Sequence, residues 1–376
     1  MRKPLLLLLS AFCLAPASAC AQPASGSETP TTLKWEVDST GRSDGKVQLS
    51  LSHRTAHSSS QWSRTTALSE LQGLEAAQLA GGGSSPVRFR IVRDPGAFDC
   101  EGAAWRGHGT GECRFVPSPG FVAELGRRGY AAPSQNQLFA MALGNIGLAY
   151  VDELARQGYA RPSLDEMVDA GNHGAGLDYL TSMGGLGYRV GTVQALIRMR
   201  DHGVDAGYVR ELVAAGLKDL PADTLVEMRD HGVSPAYIGE LRRLGYERLP
   251  VRELIMLRDH GISADFVEAL AAQGIRALPL EALIRLRDHG VSPEFAAAVH
   301  QAGYDRLGTD GLVAMRDHGV TSDYVRAIAG LGYRDLSAAE IVRLRDYGIS
   351  PDYIRDANRG GARRSVDELI RLHTGG

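Results

Sequence analysis

The chain is 376 residues long, 44% hydrophobic and carries a net charge of −3, with a mean hydropathy of −0.16. This balance fits a globular chain of more than one domain, and no stretch beyond the N-terminus supplies the roughly 20 apolar residues a transmembrane helix needs. Lysine and arginine are scattered rather than clustered, so the electrostatic footprint of a nucleic-acid binder is absent and nucleic acid is not an expected partner.

The first element is a targeting pattern. Arg2 and Lys3 precede the apolar run "LLLLLSAFCLA", and small residues continue to "ASACAQP", the charged, apolar and cleavage-site order of a secretory leader. Residues 1–21 are expected to be a signal peptide cleaved after Ala19 or Ala21, with 22–32 a linker, leaving no transmembrane segment in the mature chain. "ASAC" also resembles a bacterial lipobox, which makes lipid attachment at Cys20 the alternative processing, although Ala17 stands where leucine is usual. Either route exports the protein to a periplasmic or envelope-associated location.

Residues 33–115 show strand periodicity. Leu33, Trp35 and Val37 alternate with polar residues, as do Val47, Leu49 and Leu51, and Val87, Phe89 and Ile91, the pattern of half-buried strands. "LSELQGLEAAQL", Leu68 to Leu79, reads as a short helix and "GGGSSP" as a loop. Cleavage after Ala21 leaves Cys100 and Cys113, which flank the glycine-rich "EGAAWRGHGTGE". In an exported chain this spacing predicts a disulfide across a hairpin on the last two strands, stabilising by roughly 3 kcal/mol in the chain-entropy model. A metal or redox pair would want Cys-x-x-Cys spacing, and only His108 lies between them.

From residue 116 to the end the period changes. Phe121, Tyr150, Tyr179, Tyr208, Tyr237, Phe266, Phe295, Tyr324 and Tyr353 recur every 29 residues, and eight residues after each stands a glycine, Gly129 through Gly361. One unit has been copied nine times. In the copy from Ser234 to Ile262, Ser234 is an N-cap and Pro235 suits the first helical position. Tyr237, Ile238, Leu241 and Leu244 share a face. Gly245 takes the left-handed conformation that ends a helix, with Tyr246 folding back on Leu241. A second helix carries Leu254, Ile255 and Leu257 and stops the same way at Gly261. "SLDE" at Ser163 and "SAAE" at Ser337 are capping boxes. Two short helices cannot each bury a stripe alone, so the copies are expected to stack as an α-solenoid. The fold class is therefore α+β: a small β-rich domain followed by nine 29-residue helix-turn-helix repeats.

Arg-Asp-His-Gly is written five times, always with its glycine ending the second helix. Arginine and protonated histidine are favoured beside the exposed carbonyls there. Aspartate is unfavourable unless paired, and is expected to meet an arginine of its own or an adjacent copy. Asp201, His202, Asp230, His231, Asp259, His260, Asp288, His289, Asp317 and His318 thus read as a capping and inter-repeat stitching ladder. A metal row through these histidines and His173 is disfavoured, because packed helices about 8–10 Å apart bring at most two imidazoles to an ion held near 2.1 Å. No metal or cofactor is expected. A row of imidazoles charging together below neutral pH is a further reading.

One residue after each repeated aromatic is apolar throughout. Two residues after it stand Ala123, Asp152, Thr181, Arg210, Gly239, Glu268, Ala297, Arg326 and Arg355, which share no chemistry. A fixed core with a varied face suits presentation of an extended surface, making Arg210, Glu268, Arg326 and Arg355 candidate contacts for a protein or cell-envelope ligand. HExxH, GxSxG, Walker and dinucleotide motifs are all missing. An enzyme, such as a hydrolase, would need a site where the β domain meets the repeats. The tandem "LRDHGV…GY" pattern over residues 114–376 resembles the repeat tails of bacterial membrane metallopeptidases of the β-lactam-sensor type and related stand-alone exported proteins. That resemblance implies an envelope setting and a sensing or interaction role, without the peptidase domain.

Overall fold

A computed structural model of the chain describes residues 32–40, 44–54, 59–304 and 307–375. The expected leader and Cys20 lie outside the described residues. The chain divides into two compact units, Met1–Leu143 and Gly144–Gly376.

The first unit is built on an antiparallel sheet of β1 (Thr32–Asp38), β2 (Lys46–Arg54), β3 (Ser59–Ala67), β4 (Leu71–Gln72), β5 (Ser85–Arg93), β6 (Gly96–Trp105) and β7 (His108–Pro117). Their order is β3-β2-β1-β7-β6-β5-β4, so the first and last long strands pair in the middle. The alternating apolar residues expected of β1, β2 and β5 are all buried, as one pleat face against a core requires. β3 was not legible because "SSQWSRTTA" has no apolar alternation; it is an edge strand held by backbone pairing to β2. The segment from Leu68 to Leu79 is not one helix. It divides into a single 3-10 turn, the two residues of β4, and α1 (Ala76–Ala80), because Gly73 at φ +100° turns the chain, a conformation glycine adopts readily.

Cys100 and Cys113 face each other across β6 and β7 and form the expected disulfide. The connecting turn is Arg106–Gly107, both at positive φ, the two-residue geometry that matches strand twist. The remaining glycines of that stretch serve packing. A Cβ at Gly102 would come 2.7 Å from the Trp35 ring, and Gly111 faces the same indole. Trp35 is fully buried there and donates Nε1–H to the Glu101 carbonyl at 3.0 Å.

The first helix pair, α2 (Pro119–Arg127) and α3 (Gln135–Leu143), belongs to this unit. Phe139 of α3 lies edge-on to Trp62, Phe98 and Phe115, with centroids 5.5–6.2 Å apart, and such aromatic clusters bury large area. The change of period at residue 116 thus marks the onset of the helical pattern, whereas the packing boundary falls at Leu143.

In the second unit two rows of helices alternate. Row A is α4 (Leu148–Arg156), α6 (Leu177–Gly185), α8 (Ala206–Ala214), α10 (Pro235–Arg243), α12 (Ala264–Ala272), α14 (Pro293–Gln301), α16 (Ser322–Gly330) and α18 (Pro351–Ala357). Row B is α5 (Leu164–Asn172), α7 (Val193–Asp201), α9 (Ala222–Asp230), α11 (Val251–Asp259), α13 (Leu280–Asp288), α15 (Thr309–Asp317), α17 (Ala338–Asp346) and α19 (Val366–Thr374). With α2 and α3, eighteen consecutive helices follow the sheet among the described residues. Each row-A helix packs on the next of row A, and in row B the same holds from α5 through α7 to α9 and from α13 through α15 and α17 to α19, giving a helical repeat-like solenoid.

Candidate functional site

The helix ends fix the site. In row A, Ser234, Ser263, Ser292, Thr321 and Ser350 accept from the N–H three residues on, at 3.1–3.2 Å, and Asp205 does so at 2.8 Å. That N–H belongs each time to the repeated aromatic, so the cap and the core anchor are set together. At the other end Tyr246 N–H bonds the Leu241 carbonyl at 3.0 Å and Gly245 N–H that of Arg242 at 3.0 Å, with Gly245 at φ +94°; this is the expected Schellman ending. Ile262 and Gly261 repeat it at the end of α11, at 2.8 and 2.9 Å.

That ending leaves Asp as the last helical residue of α7, α9, α11, α13, α15 and α17, and His as the C-cap of α5, α7, α9, α11, α13 and α15. The aspartates do not pair with arginine. Each accepts from the histidine of the preceding copy: His173 Nδ1 to Asp201, His202 to Asp230, His231 to Asp259, His260 to Asp288, His289 to Asp317 and His318 to Asp346, at 2.5–2.9 Å. An ionised carboxylate only accepts, so Nδ1 carries the proton in every rung. These bonds join successive copies through histidine where arginine was the expected partner, and His173 and Asp346, outside the expected set, take part in them.

The ladder also stops where its chemistry would fail. The last residues of successive row-B helices are Asn172, six aspartates and Thr374, while the caps are His173 through His318, then Tyr347 and Gly375. Asn172 faces a copy whose residue at the histidine position is Gly144, and Tyr347 precedes a helix that offers Thr374. Aspartate appears only where a histidine precedes it by one copy. Capping alone would not require that correspondence; pairing between copies does. In the middle of the row the Asp259 carboxylate raises the His231 pKa above its ordinary value through this hydrogen bond, with Glu227 and Asp230 adding to it.

The arginine of the motif turns inward. Arg200, Arg229, Arg258, Arg287, Arg316 and Arg345 each lie over the repeated ring of their own copy, Tyr179, Tyr208, Tyr237, Phe266, Phe295 and Tyr324, at 4.0–5.6 Å from the centroid, a cation–π arrangement. Arg316 and Arg345 donate Nε–H to the carbonyls of Gly290 and Gly319 in the preceding copy, at 3.0 and 3.1 Å. In these two copies the guanidinium's planar fork serves ring and carbonyl together, and in all six the stacking on the ring turns it away from the aspartate. Beneath it, Tyr179, Tyr208, Tyr237 and Tyr324 donate O–H to the carbonyl 25 residues on, at 2.6–2.9 Å. Burial pushes Tyr208, Tyr237 and Tyr324 up to about 12, which keeps the phenols protonated and donating. Where Phe295 lacks the hydroxyl, Arg316 Nη1 reaches the corresponding carbonyl, Val320, at 2.9 Å.

Arg210, Glu268, Arg326 and Arg355 all stand exposed at one register of row A. Arg326 and Arg355 pair within their helices, to Asp323 at 2.7 Å and Asp352 at 2.5 Å. The site is thus a fixed framework of His–Asp rungs, Arg–aromatic stacks and phenol–carbonyl bonds, beside a register of exposed side chains that differ from copy to copy. Among the described residues no group of three or more His, Cys, Asp or Glu side chains could hold a metal, and no single helix is long and apolar enough to cross a membrane. No protein-family model matches the chain, and no curated protein matches it significantly.

Proposed function

We propose that this protein is a non-catalytic interaction or sensing scaffold of the cell envelope, in which nine 29-residue repeats present a partner-binding surface. The observation that carries this reading is the contrast within each copy. The residues that join copies are chemically the same from His173 to Asp346, while the register two residues after the repeated aromatic, exposed at Arg210, Glu268, Arg326 and Arg355, holds arginine, glycine, glutamate and alanine in turn. A framework rigid between copies and varied on its outer register is what extended recognition needs. The envelope setting is supported by the leader-like N-terminus, by a disulfide that persists in oxidising compartments, and by the resemblance of the "LRDHGV…GY" pattern to the tails of β-lactam-sensor type proteins. The ligand is a protein or another envelope component, with no cofactor in the proposal.

The test is a pull-down from envelope extract with wild-type protein and with Arg210, Arg326 and Arg355 reversed to glutamate. A partner retained by wild type and lost by the variant supports the reading. No difference between the two removes the row-A register as the binding surface.

A further inference from the structure

Nine residues after the seven repeated aromatics from Tyr150 to Tyr324, at the start of the turn between the rows, stand Tyr159, Tyr188, Leu217, Tyr246, Ile275, Tyr304 and Tyr333. The tyrosines span the gap to the next copy. Tyr188 and Tyr246 donate to the carbonyls 32 residues on, Leu220 and Leu278, each at 3.0 Å, and Tyr333 donates to Arg364 at 2.7 Å. Leucine at 217 is too short and has no hydroxyl to make the same bridge. At that place the solenoid has a cavity of about 470 Å³, walled by Leu217, Ile238, Leu241, Tyr246, Leu249 and Leu254. Leu249 lies 32 residues after Leu217, the position whose carbonyl receives the phenol in the tyrosine copies. An apolar cavity of about 150 Å³ already accepts a benzene ring. The charged lining residues are Arg242 and Arg248, with no acid among the lining. Arg248 is exposed, at φ +58°.

We propose that this cavity is a docking site for the side chain of a partner protein's tyrosine flanked by acidic residues, the phenol taking the place that the chain's own tyrosines fill in neighbouring copies and the acids facing Arg248. This deepens the partner-binding reading above and rests on it. The aromatic shape follows from the neighbouring copies, and the acidic flank from the exposed Arg248 in a lining that holds no acid.

The probes are capped Glu-Tyr-Glu, Glu-Ala-Glu and Lys-Tyr-Lys tripeptides, titrated into the full chain and followed by NMR shifts of the lining residues. Glu-Tyr-Glu is expected to bind saturably, and the other two at least about tenfold more weakly. Leu217→Tyr, which supplies the phenol in cis as neighbouring copies do, is expected to fold with an unchanged or higher Tm and to weaken Glu-Tyr-Glu at least about tenfold. Arg248→Glu should invert the preference between the Glu-flanked and Lys-flanked peptides. The proposal is overturned if wild type does not bind Glu-Tyr-Glu saturably, if Glu-Ala-Glu binds equally, or if Leu217→Tyr binds as wild type does. An envelope partner lost on charge reversal but indifferent to Leu217→Tyr overturns this site and leaves the scaffold reading standing. Tight, tyrosine-dependent peptide binding with no envelope partner does the reverse.

Discussion

Removal of one buried hydroxyl, by Tyr237→Phe, isolates a single inter-helix bond of the framework. The Tyr237 phenol donates to the Ile262 carbonyl at 2.8 Å, and the ring lies 4.9 Å from the Arg258 guanidinium. The substitution keeps the ring, its burial and the cation–π contact, so what is lost is the bond and the partner of a carbonyl at a helix end. A net hydrogen bond contributes about 1 kcal/mol, and a buried acceptor left bare adds to the cost, giving about 1–2 kcal/mol of expected destabilisation. The chain contains its own control. At Phe295 the equivalent carbonyl, Val320, is already held by Arg316 Nη1 at 2.9 Å, so Phe295→Tyr should gain well under about 1 kcal/mol. The assay is urea unfolding, with the midpoint compared at constant slope. Indistinguishable midpoints for wild type and Tyr237→Phe, or an equal and large gain from Phe295→Tyr, would refute the claim that the phenol holds this carbonyl in the Tyr237 copy and the guanidinium holds its equivalent where Phe295 stands.

Three further outcomes are expected. The His231 pKa is raised in the folded chain by Asp259, so the stability this rung contributes is fully present below the ordinary histidine value and is lost as pH rises through the raised one; the Tm gap between wild type and Asp259→Asn should be larger at pH 6 than at pH 8, and a gap independent of pH would count against the rung. Reduction of Cys100–Cys113 should destabilise the first unit by roughly 3 kcal/mol, seen as a lower unfolding midpoint in dithiothreitol that the Cys100→Ser, Cys113→Ser double variant reproduces without reductant. Gly111→Ala sets a methyl against both the Glu101 carbonyl and the Trp35 indole and should disrupt the first unit, read as loss of near-UV tryptophan signal; an unchanged signal would mean that the glycine-rich hairpin is not the seat of Trp35.

Much of this architecture was legible because its signals are local. Ser234, Gly245 and Gly261 each act within one turn of chain, so the helix ends follow from sequence alone, and the apolar alternation of Leu33, Trp35 and Val37 declares a pleat face without reference to its partner strand. What depends on a distant partner was not legible. β3 is held by β2 rather than by an apolar face of its own. The first helix pair joins the sheet through Phe139, whose three ring partners lie elsewhere in sequence. Adjacent opposite charges suggest an Asp–Arg pair, yet the arginine lies over its aromatic ring and the carboxylate meets the histidine of the preceding copy. The signal that would have found this was present at the two ends of the row, where Asn172 replaces the first aspartate and Tyr347 the last histidine.

The pairing between copies is tested most directly by double-mutant cycles on the full chain at pH 6, measured by urea midpoints. One cycle joins His231→Ala and Asp259→Ala, and the other joins Arg258→Ala and Asp259→Ala. The account predicts coupling beyond experimental error in the first cycle and none in the second. Coupling confined to Arg258 and Asp259 would contradict it and return the aspartate to its neighbour in sequence.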